Sequence, residues 1–348
     1  MHMADALLSP SVGAVMWAAT AATTAYCSAK VRQSLDDRKI PLMGVLAAFV
    51  FAAQMINFTI PGTGSSGHLG GGLLLAILLG PHAAFLAIAS VLTVQALFFA
   101  DGGLLALGCN IFNLGFFPCF IAYPLIYKKI VGPRPSPGRL LSGSLLSAVV
   151  GVQLGAFAVV METTISGISE LPFSTFVLMM QPIHLAIGIV EGLVTASIIS
   201  FIWQARPEIV EKAASDQPLG KLNIKPVLIG LALLTIFTGG LLSWYASDQP
   251  DGLEWSMFKV SGQEKLKAPA GIHQSLENLQ EKTALMPDYG IKSNLGKHPD
   301  EADSGRIGTS VAGLVGGLLV LLLGVMIGLA LKKRGGAHLG QPRPHQHA

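Results

Sequence analysis

The chain has 348 residues, of which 51% are hydrophobic and only 12% charged, with a formal net charge of +3 and a mean hydropathy of +0.58. So few charges cannot cover a water-soluble globule and so many apolar runs cannot share one core, which excludes a soluble domain and leaves an all-α polytopic membrane protein. The small net charge gives no sign of nucleic acid, and the 40 glycines follow no G-x-y period, so they suit close helix packing in lipid.

The first ten residues, "MHMADALLSP", hold His2 and Asp5 and no positive charge; the first is Lys30. Apolar stretches of membrane-spanning length follow at 12–29, 41–60, 71–100, 104–127, 140–162, 176–203, 227–246 and 307–331. The first of them carries Ala14, Ala18 and Ala22 at four-residue spacing, and again Ala21, Ala25 and Ala29. Such a stripe lets another helix approach closely; internal packing is its commoner use and a partner membrane protein the alternative.

Lys and Arg gather around 30–39, 128–139, 206–225 and 332–343, and all four clusters are expected to be cytoplasmic. The amino terminus and the loop "PGTGSSGHLGG" are then outside. A single span over 71–100 would, however, carry "YKKIVGPRPSPGR" outside as well. The break at Gly80, Pro81 and His82 resolves the conflict, because Pro81 has no amide donor and ends the helix before it. A short third helix over 69–80 and a fourth over 83–100 give nine crossings; the short one reaches roughly 18 Å and must be buried or partly re-entrant.

The seventh span holds Gln181, His184 and Glu191. Ionisable groups within a span face the bundle interior, as a relay or as a hydrogen-bond network that fixes packing; the network is favoured here. Cys27, Cys109 and Cys119 lie in apolar runs without CxxC spacing and read as core residues. The organisation expected is a seven-helix body over 1–203, a cytoplasmic linker over 204–226, a two-helix hairpin over 227–331 whose polar loop 247–306 forms an outer domain, and a cytoplasmic tail over 332–348. The tail reads as solvated, although its His338, His345 and His347 offer weak metal contacts.

A free terminal amine, the amide nitrogen of residue 2 and the imidazole of His2 close a five-membered and then a six-membered chelate ring around one ion. Three nitrogens then lie nearly in a plane, and a fourth completes the square-planar set of Ni(II) or Cu(II). The set needs an uncapped Met1, and no basic segment marks a leader before the first apolar run. His68 is expected to be the fourth nitrogen, since it lies in the Gly- and Ser-rich loop on the same side of the membrane. His82 falls at the opposite end of the third helix and reads as a cap or packing residue.

The stretches "MHMADALLSP", "GSSGHLGGGLLLAILLGPHAA", "VQALFFADGGLLALGCNIFNLG" and "QPIHLAIGIVEGLVTA" resemble the substrate-specific component of energy-coupling factor transporters for nickel or cobalt, the CbiM/NikM family. Residues 250–254, "PDGLE", with "MPDYGI" and the final span, resemble the companion NikN-type protein, so the chain looks like a fusion of the two. The resemblance implies a metal-capture subunit of an ATP-driven importer in a prokaryotic plasma membrane, amino terminus outside and carboxyl terminus cytoplasmic. Its partners would be a transmembrane coupling protein, which Ala14, Ala18 and Ala22 could meet, and two cytoplasmic ATPases. The chain has no G-x-x-x-x-G-K-[ST] loop of its own, and no catalytic constellation marks it as an enzyme. The family implies Met1, His2 and His68 as ligands, with Asp5, Asn110 and Asn113 expected around them, and the PDGLE segment tilts the ion to nickel over cobalt. The alternative is a secondary carrier using His184 and Glu191.

Overall fold

The structure, a computed structural model, describes residues 2–34, 36–169, 171–215, 217–263, 266, 269–290 and 301–336. After one tight turn at Asp5–Leu7, α1 (Pro10–Ser34) begins on a proline, whose missing amide donor costs nothing at a first helical position. Gly13, Thr20, Cys27 and Val31 form its narrow buried seam. The next helix, α2 (Lys39–Gln54), is buried on nearly every side. A small antiparallel hairpin follows, β1 (Phe58–Ile60) with β2 (Ser65–Gly67), pairing Phe58 with Gly67 and Ile60 with Ser65.

All eight residues of α3 (Gly72–Leu79) are buried, so this helix of about 12 Å lies among neighbours and not in lipid. Gly80 then takes a left-handed φ of 81° and Pro81 opens α4 (Pro81–Phe99). The break falls where the sequence placed it: glycine accepts the turn and proline cannot continue the ladder.

From α5 (Leu107–Ile111) the chain runs on through Phe112–Tyr127, wound more widely than an α-helix, into α6 (Lys128–Val131). Pro118 and Pro124 stand inside this stretch, and each removes a donor from the α-helical ladder. Next, α7 (Pro137–Ser166) and α8 (Phe173–Ala205) pack antiparallel: Gly188 meets Val149 and Gly192 meets Leu145. The remaining helices are α9 (Pro207–Ala214), α10 (Lys225–Gly240), α11 (Gly252–Ser261), α12 (Ile272–Thr283) and α13 (Glu301–Gly336).

Among the described residues five stretches are long and apolar enough to cross a membrane, Pro81–Phe99, Leu107–Val131, Pro137–Ser166, Phe173–Ala205 and Arg306–Lys332, with α2 and α10 as shorter apolar helices. The protein is an all-α multi-pass membrane protein. Both α10 and α13 lie against α2. Small residues bring α13 close: a Cβ added at Gly324 would lie 3.1 Å from the Cα of Gly44, and one at Gly239 would lie 3.2 Å from the carbonyl carbon of Gly313.

The loops gather at two ends. At one, the Gly220 amide donates to Asp36, Arg38 donates to the Leu222 carbonyl, and Lys332 pairs with Asp37 at 2.9 Å. At the other, the hairpin, the turn after α4 and the segment from 247 to 290 come together around the amino terminus.

Candidate metal centre

Met1 lies outside the described residues, so the structure says nothing of its amine. The His2 side chain is 7% exposed; its Nδ1 lies 3.0 Å from the Asp101 carboxylate, and its Nε2 is buried without a hydrogen-bond partner among the described residues. His68 stacks on it, with ring centroids 4.8 Å apart and planes within 7°. Burial, with repulsion from His2 added, holds the His68 imidazole down at about 3, far below the usual histidine range. It is therefore neutral, the form in which imidazole binds metal. Among the described residues no three His, Cys, Asp or Glu side chains gather as an ion cage. Two imidazoles and the main-chain nitrogens beside them are what the place offers.

The segment carrying His2 is tied down by the turn after α4 and the start of α5. The Met3 amide donates to Asn110 Oδ1 at 2.8 Å, Asn110 Nδ2 donates back to the Met3 carbonyl at 3.2 Å, and the Gly103 amide donates to that same carbonyl at 2.9 Å. Asp5 accepts from the Ala106 amide at 2.9 Å. Met3, Leu7 and Leu8 are buried beneath. Asn113 points elsewhere, donating to Glu162 of α7 at 2.8 Å.

The loop carrying His68 is anchored from α8. Both oxygens of the buried Glu191 carboxylate accept main-chain amides, from Gly70 at 2.8 Å and Gly71 at 3.1 Å, so this intramembrane acid fixes the backbone just after His68. His184 bonds the Met180 carbonyl through Nδ1 at 2.8 Å, and with His68, Glu191 and Gly252 it lines a cavity of about 10 Å³. His82 packs between the rings of Tyr26 and Phe120, at 5.5 and 5.6 Å. Ala14, Ala18 and Ala22 are exposed along α1. A cavity of about 510 Å³ forms an apolar cleft between α1 and α7, and its lining includes neither His2 nor His68.

Each residue of the "PDGLE" run has a physical task beside the hairpin. The Pro250 carbonyl accepts the Ser66 amide at 2.8 Å, and the Gln249 carbonyl accepts the Ser66 hydroxyl at 2.8 Å. Asp251 caps α11, accepting from the amides of Leu253 and Glu254, while Glu254 accepts from the Asp251 amide at 3.2 Å, a reciprocal capping box. Gly252 has no room for a side chain: a Cβ there would lie 2.7 Å from Ile183 Cγ2 and 3.1 Å from His184 Cε1. Leu253 is buried, and Trp255 donates its indole N–H to the Thr63 carbonyl at 3.0 Å.

Sequence reasoning missed Asp101 and Glu162. Both carried a signal: Asp101 ends the apolar run "LFFAD", and Glu162 is a carboxylate inside a predicted span, which by itself marks an interior contact.

Comparison with known proteins bears on the whole arrangement. A family model described as the cobalt uptake substrate-specific transmembrane region matches residues 2–209, and one for the PDGLE domain matches residues 225–333. The NikMN fusion of Archaeoglobus fulgidus is 33% identical over 93% of this chain and 97% of its own length. The fused nickel transport protein NikMN of Rhodobacter capsulatus is 29% identical over 97% of this chain and all of its own. A crystal structure of a truncated transition metal transporter superposes with a TM-score of 0.53 at 32% identity, covering 59% of this chain and 99% of that one. The chain thus belongs to the CbiM family of substrate-specific transmembrane transport proteins, and it carries a PDGLE domain in the same polypeptide.

Proposed function

We propose that the protein captures one Ni(II) ion from outside the cell, between the Met1 amine, the His2 amide nitrogen and imidazole, and the His68 imidazole. The stacking of the His2 side chain, 7% exposed, on buried His68 is the observation that carries this reading. Asn110 and Asp5 steady the first ligand segment and Glu191 the second, as partners behind metal ligands do. The nitrogen that closes the six-membered ring is Nδ1 of His2, which here bonds Asp101, so binding exchanges that hydrogen bond for a coordinate bond. Nickel is preferred to cobalt because the relatives matched over 93% and 97% of this chain, PDGLE segment included, are named as nickel transport proteins.

Delivery inward is proposed to follow the energy-coupling factor plan, with a transmembrane coupling protein and two cytoplasmic ATPases, since this chain carries no phosphate-binding loop. The loops at 36–38 and 204–226 and the end of α13 would then be cytoplasmic and the metal centre outside. A secondary carrier built on Glu191 is disfavoured, because both carboxylate oxygens are engaged by Gly70 and Gly71.

Nickel titration of the purified chain tests the site. His2→Ala and His68→Ala should each abolish measurable binding, and His82→Ala should leave it intact. Inserting one alanine between Met1 and His2 keeps every side chain but changes the ring sizes, and should also abolish binding; wild-type affinity in that variant would remove the main-chain nitrogen from the ligand set.

A further inference from the structure

The PDGLE-bearing segment reaches past the hairpin to the turn that holds His2. The Tyr289 hydroxyl donates to Asp101 Oδ2 at 2.6 Å, and the other oxygen of that carboxylate meets His2 Nδ1 at 3.0 Å. The Tyr289 ring stacks on Phe99 with centroids 5.0 Å apart. From α12, Gln280 donates to the carbonyls of Ala96 at 2.9 Å and Gly102 at 2.7 Å, bracketing Asp101, and the amides of Leu285 and Met286 donate to the Phe98 carbonyl.

Backbone strain points to the same place. Among the described residues the non-glycine positions with positive φ are Ala100 at 55°, Asp288 at 50° and Tyr289 at 58°. They are the two sides of one contact, Ala100 preceding Asp101 and Asp288 preceding Tyr289. A left-handed conformation is costly for residues with a Cβ and persists where surrounding contacts impose it, commonly at functional positions.

We infer that Tyr289 is a positioning residue of the metal centre, holding Asp101 so that His2 can release it and take the ion. The inference rests on the proposed ligand set. Without the ion, the Asp101 carboxylate, 25% exposed, has two partners among the described residues, His2 and Tyr289. Once Nδ1 turns to the metal, Tyr289 is the one of these that is left, and losing it too leaves a largely enclosed carboxylate short of a partner, which is costly. The hydroxyl is therefore worth more in the ion-bound state than in the free one, and its removal weakens ion binding.

The test is nickel titration of the full chain as wild type, Tyr289→Phe, Asp101→Ala and the double variant. Phenylalanine keeps the stack on Phe99. Tyr289→Phe should bind nickel about tenfold to a hundredfold more weakly, with a shifted absorption band of the bound ion and a smaller loss of melting temperature in the ion-free chain than in the nickel-bound one. If Tyr289 acts through Asp101, the double variant should bind no more weakly than Asp101→Ala. Unchanged nickel affinity in Tyr289→Phe, or losses that multiply in the double variant, would overturn the inference while leaving the ligand set standing; a wild type that fails to bind nickel would bring down both. If Asp101→Ala does not fold, Gln280→Met replaces it in the series. It should weaken nickel binding and lower the melting temperature of the nickel-bound chain more than that of the ion-free one; a lowered melting temperature with unchanged nickel affinity would count against the outer segment's role.

Discussion

Charging His68 in its buried place is costly, and the cost has a direction in pH. The free imidazole accepts a proton near pH 6.5, the folded one only at about 3. Below pH 6.5 the unfolded chain binds a proton that the folded chain refuses, so the contribution of His68 to stability is whole above about pH 6.5 and lost progressively as pH falls toward 3. Thermal melting of the ion-free protein should show a shallower acid slope in His68→Gln than in wild type across that window. The sequence placed His2 and His68 on one side of the membrane through charge alone, and the structure stacks them. Asp101 and Tyr289 were not legible in that way, because what joins them is a tertiary contact between two left-handed turns, which no local spacing records. Gly252→Ala would push a methyl group against Ile183 and His184; overpacking of this kind costs about 1–3 kcal/mol, so the variant should melt lower and bind nickel more weakly.

At the level of the helix, α1 is thinly supported by its neighbours. Its buried seam is narrow and Ala14, Ala18 and Ala22 are exposed beside it, which suits the close approach of a helix from the proposed coupling protein. Ala18→Leu should leave nickel affinity unchanged and lower the yield of co-purified coupling protein; wild-type yield would discard this face as the contact. The interruption at Gly80 and Pro81 was readable because both residues act locally. The winding through Phe112–Tyr127 was not, since a predicted span over 104–127 has the same apolar composition whichever ladder it follows. The span expected over 41–60 ends as a helix at Gln54, and its last residues become strand β1. A strand of three residues is too short to show alternation. Its pairing with β2, the segment at 247–250 seated on Thr59 and Ser66, and the packing of Ile60 on Ile183 and Ile187 give it shape.

Across the whole molecule the two loop ends are separate, and the four basic clusters imply which one faces the cytoplasm. Single cysteines at exposed Asp248 and Lys221 should react with an impermeant reagent from outside and only after permeabilisation, respectively; labelling of both from the same side would refute the proposed orientation. Covalent continuity between the two family regions rests on the stretch around residue 216, yet α10 and α13 lie against α2, and the segment from 247 to 290 closes over the hairpin and the turn after α4. Those contacts are many and dispersed, whereas the linker joins at a single point. Beyond the bonds of Gly220 and Leu222 to the loop at 36–38, its physical contribution is then mainly to raise the local concentration of one half near the other. A gene split at that stretch should yield two polypeptides, 1–215 and 217–348, that find each other in the bilayer and co-purify without a tether, so that fusion or fission of such genes would be close to neutral for the assembled particle.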